Sequence, residues 1–85
     1  GSTPKPGKPQ DISDALFPEL VLNAETPAVV DFWSITCAPC RIMGSLLAEI
    51  SPQYEGKINV FKMNLDYHRQ TARKYDIRSV PTVIF

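Results

Sequence analysis

Two cysteines three residues apart, Cys37 and Cys40, are the residues whose type and spacing can do chemistry, and the sequence holds no others. A cysteine attacks or binds metal as its thiolate, and a free thiol is mostly protonated at neutral pH. A helix N-terminus favours the thiolate, because its unpaired N–H groups and its dipole attract negative charge. Behind the stretch "ITCAPCRI", Ile42, Met43, Leu46, Leu47 and Ile50 recur at helical spacing, so a helix is predicted to start at the cysteines. Cys37 then stands accessible at the helix N-terminus, with Cys40 one turn further in. Residues i and i+3 share a helix face, so the two sulfurs can close a disulfide and open it again. Pro39 suits the first turn, where no N–H is required of it. This spacing permits attack by Cys37, a mixed disulfide, and resolution by Cys40.

Two other uses of such a pair stay open on the residues alone. Zinc wants four ligands, and one chain adds only His68 to the two thiols. Two chains could bring four thiolates to zinc or to an iron–sulfur cluster. A pair of inert cysteines is the remaining reading. Redox chemistry leads the three.

The elements around the pair follow from hydrophobic pattern. "PAVVDFW" is a compact apolar run with β-branched and aromatic residues, which reads as a buried strand ahead of the cysteines. Asp31 lies inside it, where a buried carboxyl would have a raised pKa; an Asp facing solvent or capping a backbone group is an equal reading at this point. Pro52 should bend or restart the cysteine helix, and Gly56 should end it. "KINVFKMNLD" reads as the next strand, Asp66 as the cap of a short helix through Tyr75, and "VPTVIF" as a last strand. Lys62, on the second strand, reads by itself as part of a solvated face. Further upstream, "SDALFPELVLN" offers a Ser/Asp cap and apolar Phe17, Leu20 and Val21 for a short helix, with Pro18 near its start. Residues 1–12 read as a flexible Pro- and Lys-rich tail, with Gly1-Ser2 as a cloning scar, and 13–85 as the folded domain. Strands alternating with helices argue for an α/β layer fold with a partly parallel sheet.

Composition bounds the function from outside. Eighty-five residues make one small domain, of a size that buries about 60% of its unfolded surface. A hydrophobic content of 44% is globular. Nine basic residues against nine acidic ones point to neither nucleic acid nor an anionic membrane surface. No apolar run approaches the ~18 residues of a membrane span. Two cysteines give no framework of structural disulfides, which fits a reducing compartment; a cytoplasmic location is expected, with a removed targeting signal left open.

In "VVDFWSITCAPCRIM", followed by "VFKMNLD" and "IRSVPTVIF", the chain resembles the thioredoxin family from about Asp14 to Phe85. The resemblance implies a three-layer fold with a central mixed sheet of about three strands flanked by helices, incomplete because the family's last strand and C-terminal helix would follow Phe85. It implies a thiol–disulfide oxidoreductase with Cys37 attacking and Cys40 resolving. Asp31 matches the family's buried aspartate, which assists proton transfer at the resolving cysteine, and Lys62 a lysine near it. Trp33 matches the tryptophan beside the site, with Ala38 and Pro39 at the contact face. Pro81 matches the family's cis-proline, and Val80 before it would pair its backbone with an extended substrate segment. The implied partners are disulfide-containing proteins and an electron-donating reductase. No cofactor is implied beyond the reversible Cys37–Cys40 disulfide.

The chain departs from that pattern at Thr36, where the family usually has tryptophan, at Ala38 in place of glycine, and at Ser45 in place of a helix-kinking proline. A last strand without a neighbour is an edge that invites pairing with another chain, so self-association is expected. The alternative to turnover is a shortened module that serves as an interaction or structural unit.

Overall fold

The computed structural model describes residues 8–85; the first part of the tail expected over 1–12 lies outside the described residues. Strand β1 (Gln10–Asp11) is followed by a helical segment at Pro18–Leu22, strand β2 (Ala28–Trp33), helix α1 (Ala38–Ile50) and a 3-10 turn at Ser51–Tyr54. Strand β3 (Asn59–Asn64), helix α2 (Gln70–Lys74) and strand β4 (Thr82–Ile84) complete the order. The sheet runs β1-β3-β2-β4. β3 is parallel to both β1 and β2, whereas β4 is antiparallel to β2. A parallel β2–β3 pair needs a long crossover, and α1 with its trailing turn supplies it.

β2 is the centre of the molecule, and its alternation sorts the two faces. Val30 and Phe32 join Ile12, Phe17, Phe61 and Met63 in one buried core. Phe32 and Met63 are fully buried, each contributing about 2–3 kcal/mol by removal of apolar surface from water. Leu20, Val21 and Ile77 pack against that core from outside the sheet, and the Phe17 and Tyr75 rings meet with centroids 5.6 Å apart. Val29, Asp31 and Trp33 take the opposite face, which α1 covers. Met43 and Leu47 of α1 share one apolar cleft with Val29 and Val60 there. The α/β three-layer fold expected from the resemblance is thus present, with four strands where about three were expected.

Three expectations are corrected in detail. The folded part begins before residue 13: Gln10 and Asp11 pair with Phe61 and Lys62, and Ile12 is 3% exposed. Strand β1 forms by backbone pairing, with Ile12 N–H donating to the Lys62 carbonyl at 2.9 Å; its polar side chains carry no strand signal. The first helix is a wide turn, in which Asn23 N–H reaches back to the Pro18 carbonyl at 2.9 Å, and Pro18 at its start lacks only an N–H that nothing needs. In α1, only Cys40 and Leu47 are buried, while Ile42, Leu46 and Ile50 are exposed. The apolar stripe of the sequence is wider than the strip of α1 that meets the sheet.

Candidate active site

Cys37 caps α1. Its backbone is extended (φ −98°, ψ 105°), and its sulfur accepts the Cys40 N–H at 3.1 Å. Pro39 sits in the first turn, where a residue without N–H costs no hydrogen bond. Cys37 and Cys40 are joined in a disulfide with their Cα atoms 5.2 Å apart. The first sulfur is half-buried beside exposed Ala38 and Pro39, and Cys40 is 4% exposed. An outer sulfur within reach of a large substrate and an inner one shielded from it are what sequential attack and resolution need. The Cys40 N–H that meets the Cys37 sulfur in the disulfide also favours a thiolate there once the bond is reduced.

Beneath α1, Asp31 is 0% exposed, and neither carboxylate oxygen has a hydrogen-bond partner among the described residues. Burial pushes its pKa up to about 6, and the positive charge of Lys62 holds it back from rising further. Lys62 is Asp31's register partner on β3. Its ammonium lies 5.0 Å from the centre of the Trp33 ring, a cation–π distance. Trp33, Cys40 and Lys62 line one cleft between the sheet and α1. The sheet thus brings a high-pKa carboxyl, a cation and the inner cysteine to the same side.

On the other flank, the Val80–Pro81 peptide bond is cis. Val80 shares a groove with Ser34 and Asp66, so the backbone before Pro81 borders the loop that leads into Cys37.

Asp66 is the residue that sequence reasoning placed wrongly. It does not cap α2. Its carboxylate accepts Ile35 N–H at 2.9 Å and the Ser34 hydroxyl at 2.9 Å, and these bonds hold its pKa below the usual carboxylate value. Ser34 Oγ also lies 3.3 Å from Thr36 Oγ1, and the Ser34 carbonyl accepts Cys37 N–H at 3.1 Å. The loop before Cys37 is therefore tied to the end of β3 by a charged acceptor. α2 is capped from far away instead: Asp14 accepts Thr71 N–H at 2.8 Å and Gln70 N–H at 3.1 Å. Burial pushes the Asp14 pKa up, but the bonds from Thr71 and Gln70 and the nearby His68 outweigh it, and the net shift is downward. A Ser/Asp pair was visible at 13–14, yet only Ser13 serves its own turn, accepting Leu16 N–H through its hydroxyl at 3.2 Å.

Among the described residues, no group of three or more His, Cys, Asp or Glu gathers as a metal site would require, and no helix is long and apolar enough to cross a membrane.

The profile of the family described as Thioredoxin matches residues 8–85. A thioredoxin of Synechocystis sp. is 51% identical over 73 residues, covering 86% of this chain and 68% of that protein. The chloroplastic M-type thioredoxin of Pisum sativum is 46% identical over 76 residues, covering 89% of this chain and 44% of that protein. The chain thus spans less than half the length of the pea relative. In three dimensions it is similar to the crystal structure of the Trx4 domain of ERdj5, with TM-score 0.83, 29% identity, and coverage of 92% of this chain and 68% of that one.

Proposed function

The chain belongs to the thioredoxin family, and on that footing we propose that it reduces or exchanges disulfides in other proteins through Cys37 and Cys40. The observation that carries this reading is the split between the half-buried Cys37 sulfur at the N-terminus of α1 and the buried Cys40 sulfur one turn inside. In the reducing direction, the Cys37 thiolate attacks one sulfur of a substrate disulfide. A mixed disulfide forms and one substrate thiolate leaves. The Cys40 thiolate then attacks Cys37, closes the Cys37–Cys40 disulfide and releases the second substrate thiolate. Two electrons have passed to the substrate, and an external dithiol or an electron-donating reductase restores the pair.

Asp31 is assigned the proton acceptor for the Cys40 thiol. A group titrating near 6 is mostly ionised at pH 7 and still close enough to that pH to exchange a proton readily. Lys62 tempers the carboxyl's rise. Trp33, Ala38, Pro39, Val80 and Pro81 are assigned to the substrate surface, with the Val80 backbone pairing an extended segment of the partner. The disulfide itself serves as the redox group. A compartment that keeps thiols reduced suits this direction, and the cytoplasm offers one.

The test is turnover of a protein disulfide with dithiothreitol as reductant. Wild type should show it, and both Cys37→Ser and Cys40→Ser should lose it. Turnover surviving in Cys37→Ser would overturn the assignment. The alternative, an interaction module without turnover, predicts no catalysis in any of the three. Self-association is a second proposal, favoured by the position of β4 at the edge of the sheet; a single monomeric species in ultracentrifugation at about 100 µM would contradict it.

A further inference from the structure

Three of the chain's four arginines, Arg69, Arg73 and Arg78, line one groove of about 350 Å³ beside the reactive loop. Ser34 and Val80 are both in its lining, so the groove reaches the loop before Cys37 and the backbone before Pro81. The whole chain carries as many acidic as basic groups; the positive charge here is local. Two carboxylates stand near. Asp66, also in the lining, is engaged by Ile35 N–H and the Ser34 hydroxyl and offsets part of the Arg69 charge, which leaves Arg73 as the less compensated of the two. Asp76 pairs with Arg78 at 2.8 Å, both side chains being largely exposed. Arg69 uses its Nε on the Leu65 carbonyl at 3.2 Å, which orients the guanidinium and leaves its outer N–H groups free to donate. Arg73, one helical turn on, is exposed and lies in no ion pair among the described residues. A planar guanidinium is a fork shaped for a carboxylate.

We propose that this groove selects disulfide substrates carrying Asp or Glu in the segment next to the cysteine that Cys37 attacks, with Arg73 and Arg69 as the specificity-determining residues. The proposal rests on the disulfide-exchange reading and names its substrate class. Docking of the acidic segment brings the scissile disulfide to Cys37; the two-electron exchange is unchanged.

The experiment compares two disulfide-linked peptides that differ only in Glu against Gln beside the cysteine, reduced by the wild type and by Arg69→Gln/Arg73→Gln with dithiothreitol as reductant. The ratio of kcat/KM, Glu peptide over Gln peptide, should be about fivefold for the wild type at low salt, the size of one or two exposed ion pairs. It should fall toward one in the double variant and with added salt. Both arginines are exposed, so the double variant should melt as the wild type does. Disulfide-free versions of the same peptides are titrated in parallel, as a readout that needs no turnover. Catalysis without a preference for Glu, or a preference that the double variant keeps, overturns the groove and leaves the exchange reading intact. Charge-dependent binding of the disulfide-free Glu peptide without catalysis does the reverse. Equal binding of both disulfide-free peptides, with no catalysis, overturns both.

Discussion

Asp31 and Asp66 are the same residue type placed on the two flanks of one reactive pair, and the protein treats them in opposite ways. Asp31 is buried with no hydrogen-bond partner, and loss of water drives its pKa up to about 6. Asp66 is exposed and accepts two short hydrogen bonds, which pull its pKa down. A carboxyl that titrates near 6 suits the proton transfer proposed for Cys40. One locked in its ionised form serves position. The difference lies in solvation and partners, and strand alternation decides it: Asp31 falls on the inward face of β2, while Asp66 lies just past the end of β3.

Substitution should affect the two carboxyls unequally, with the largest effect at Asp31. A folded-state pKa above the unfolded value means the folded form binds the proton more tightly. Stability therefore falls as pH rises from 3.8 through about 6 and stays lower above that. Asp31→Asn should remove this fall. Urea titrations should find the variant more stable than wild type at pH 8, by up to about 3 kcal/mol, and equal to it at pH 3.5. Its disulfide turnover should drop at least about tenfold. Equal stability at pH 8 would mean that Asp31 is not desolvated as described.

Asp14 comes second, and its sign is reversed. Its lowered pKa gives a contribution that is present above pH 3.8 and lost as pH falls below it. Asp14→Ala leaves two α2 N–H groups without their acceptor and should cost about 1 kcal/mol at pH 7. The loss should shrink in melts at pH 3, and hydrogen exchange should speed up at Gln70 and Thr71 first.

The smallest effect on stability is expected at Asp66. Asp66→Ala should leave the melting temperature nearly unchanged while slowing alkylation of reduced Cys37 severalfold, because the Ser34–Thr36 loop loses its anchor. Asp66→Asn, which keeps one acceptor oxygen, should recover part of the rate. A large fall in melting temperature would make Asp66 a structural residue and erase the contrast with Asp31.

The sequence disclosed the parts whose signals are local. The apolar run at β2, the helical spacing behind Cys40 and the i, i+3 cysteines each lie within a few residues of one another, and each occurs in the structure near where it was expected. The burial of Asp31 could be proposed from its apolar neighbours. What stayed hidden depends on distant partners. β1 consists of Gln10 and Asp11, and only their pairing with β3 makes them a strand. Asp66 looked like the cap of a helix four residues on, yet its partners lie 31 and 32 residues upstream. Asp14 caps α2 across 57 residues to Thr71. Arg69, Arg73 and Arg78 were ordinary surface charges until the fold set them along one groove beside Ser34.

A division of labour between the two sulfurs should be visible in a trapping experiment. Reduced Cys40→Ser protein is mixed with a disulfide-linked peptide, and the products are weighed and mapped by mass spectrometry. One persistent peptide adduct on Cys37 is expected. Reduced Cys37→Ser protein, left only with the buried Cys40, should form little adduct in the same time. Equal adduct formation in the two variants would contradict separate roles for the two sulfurs.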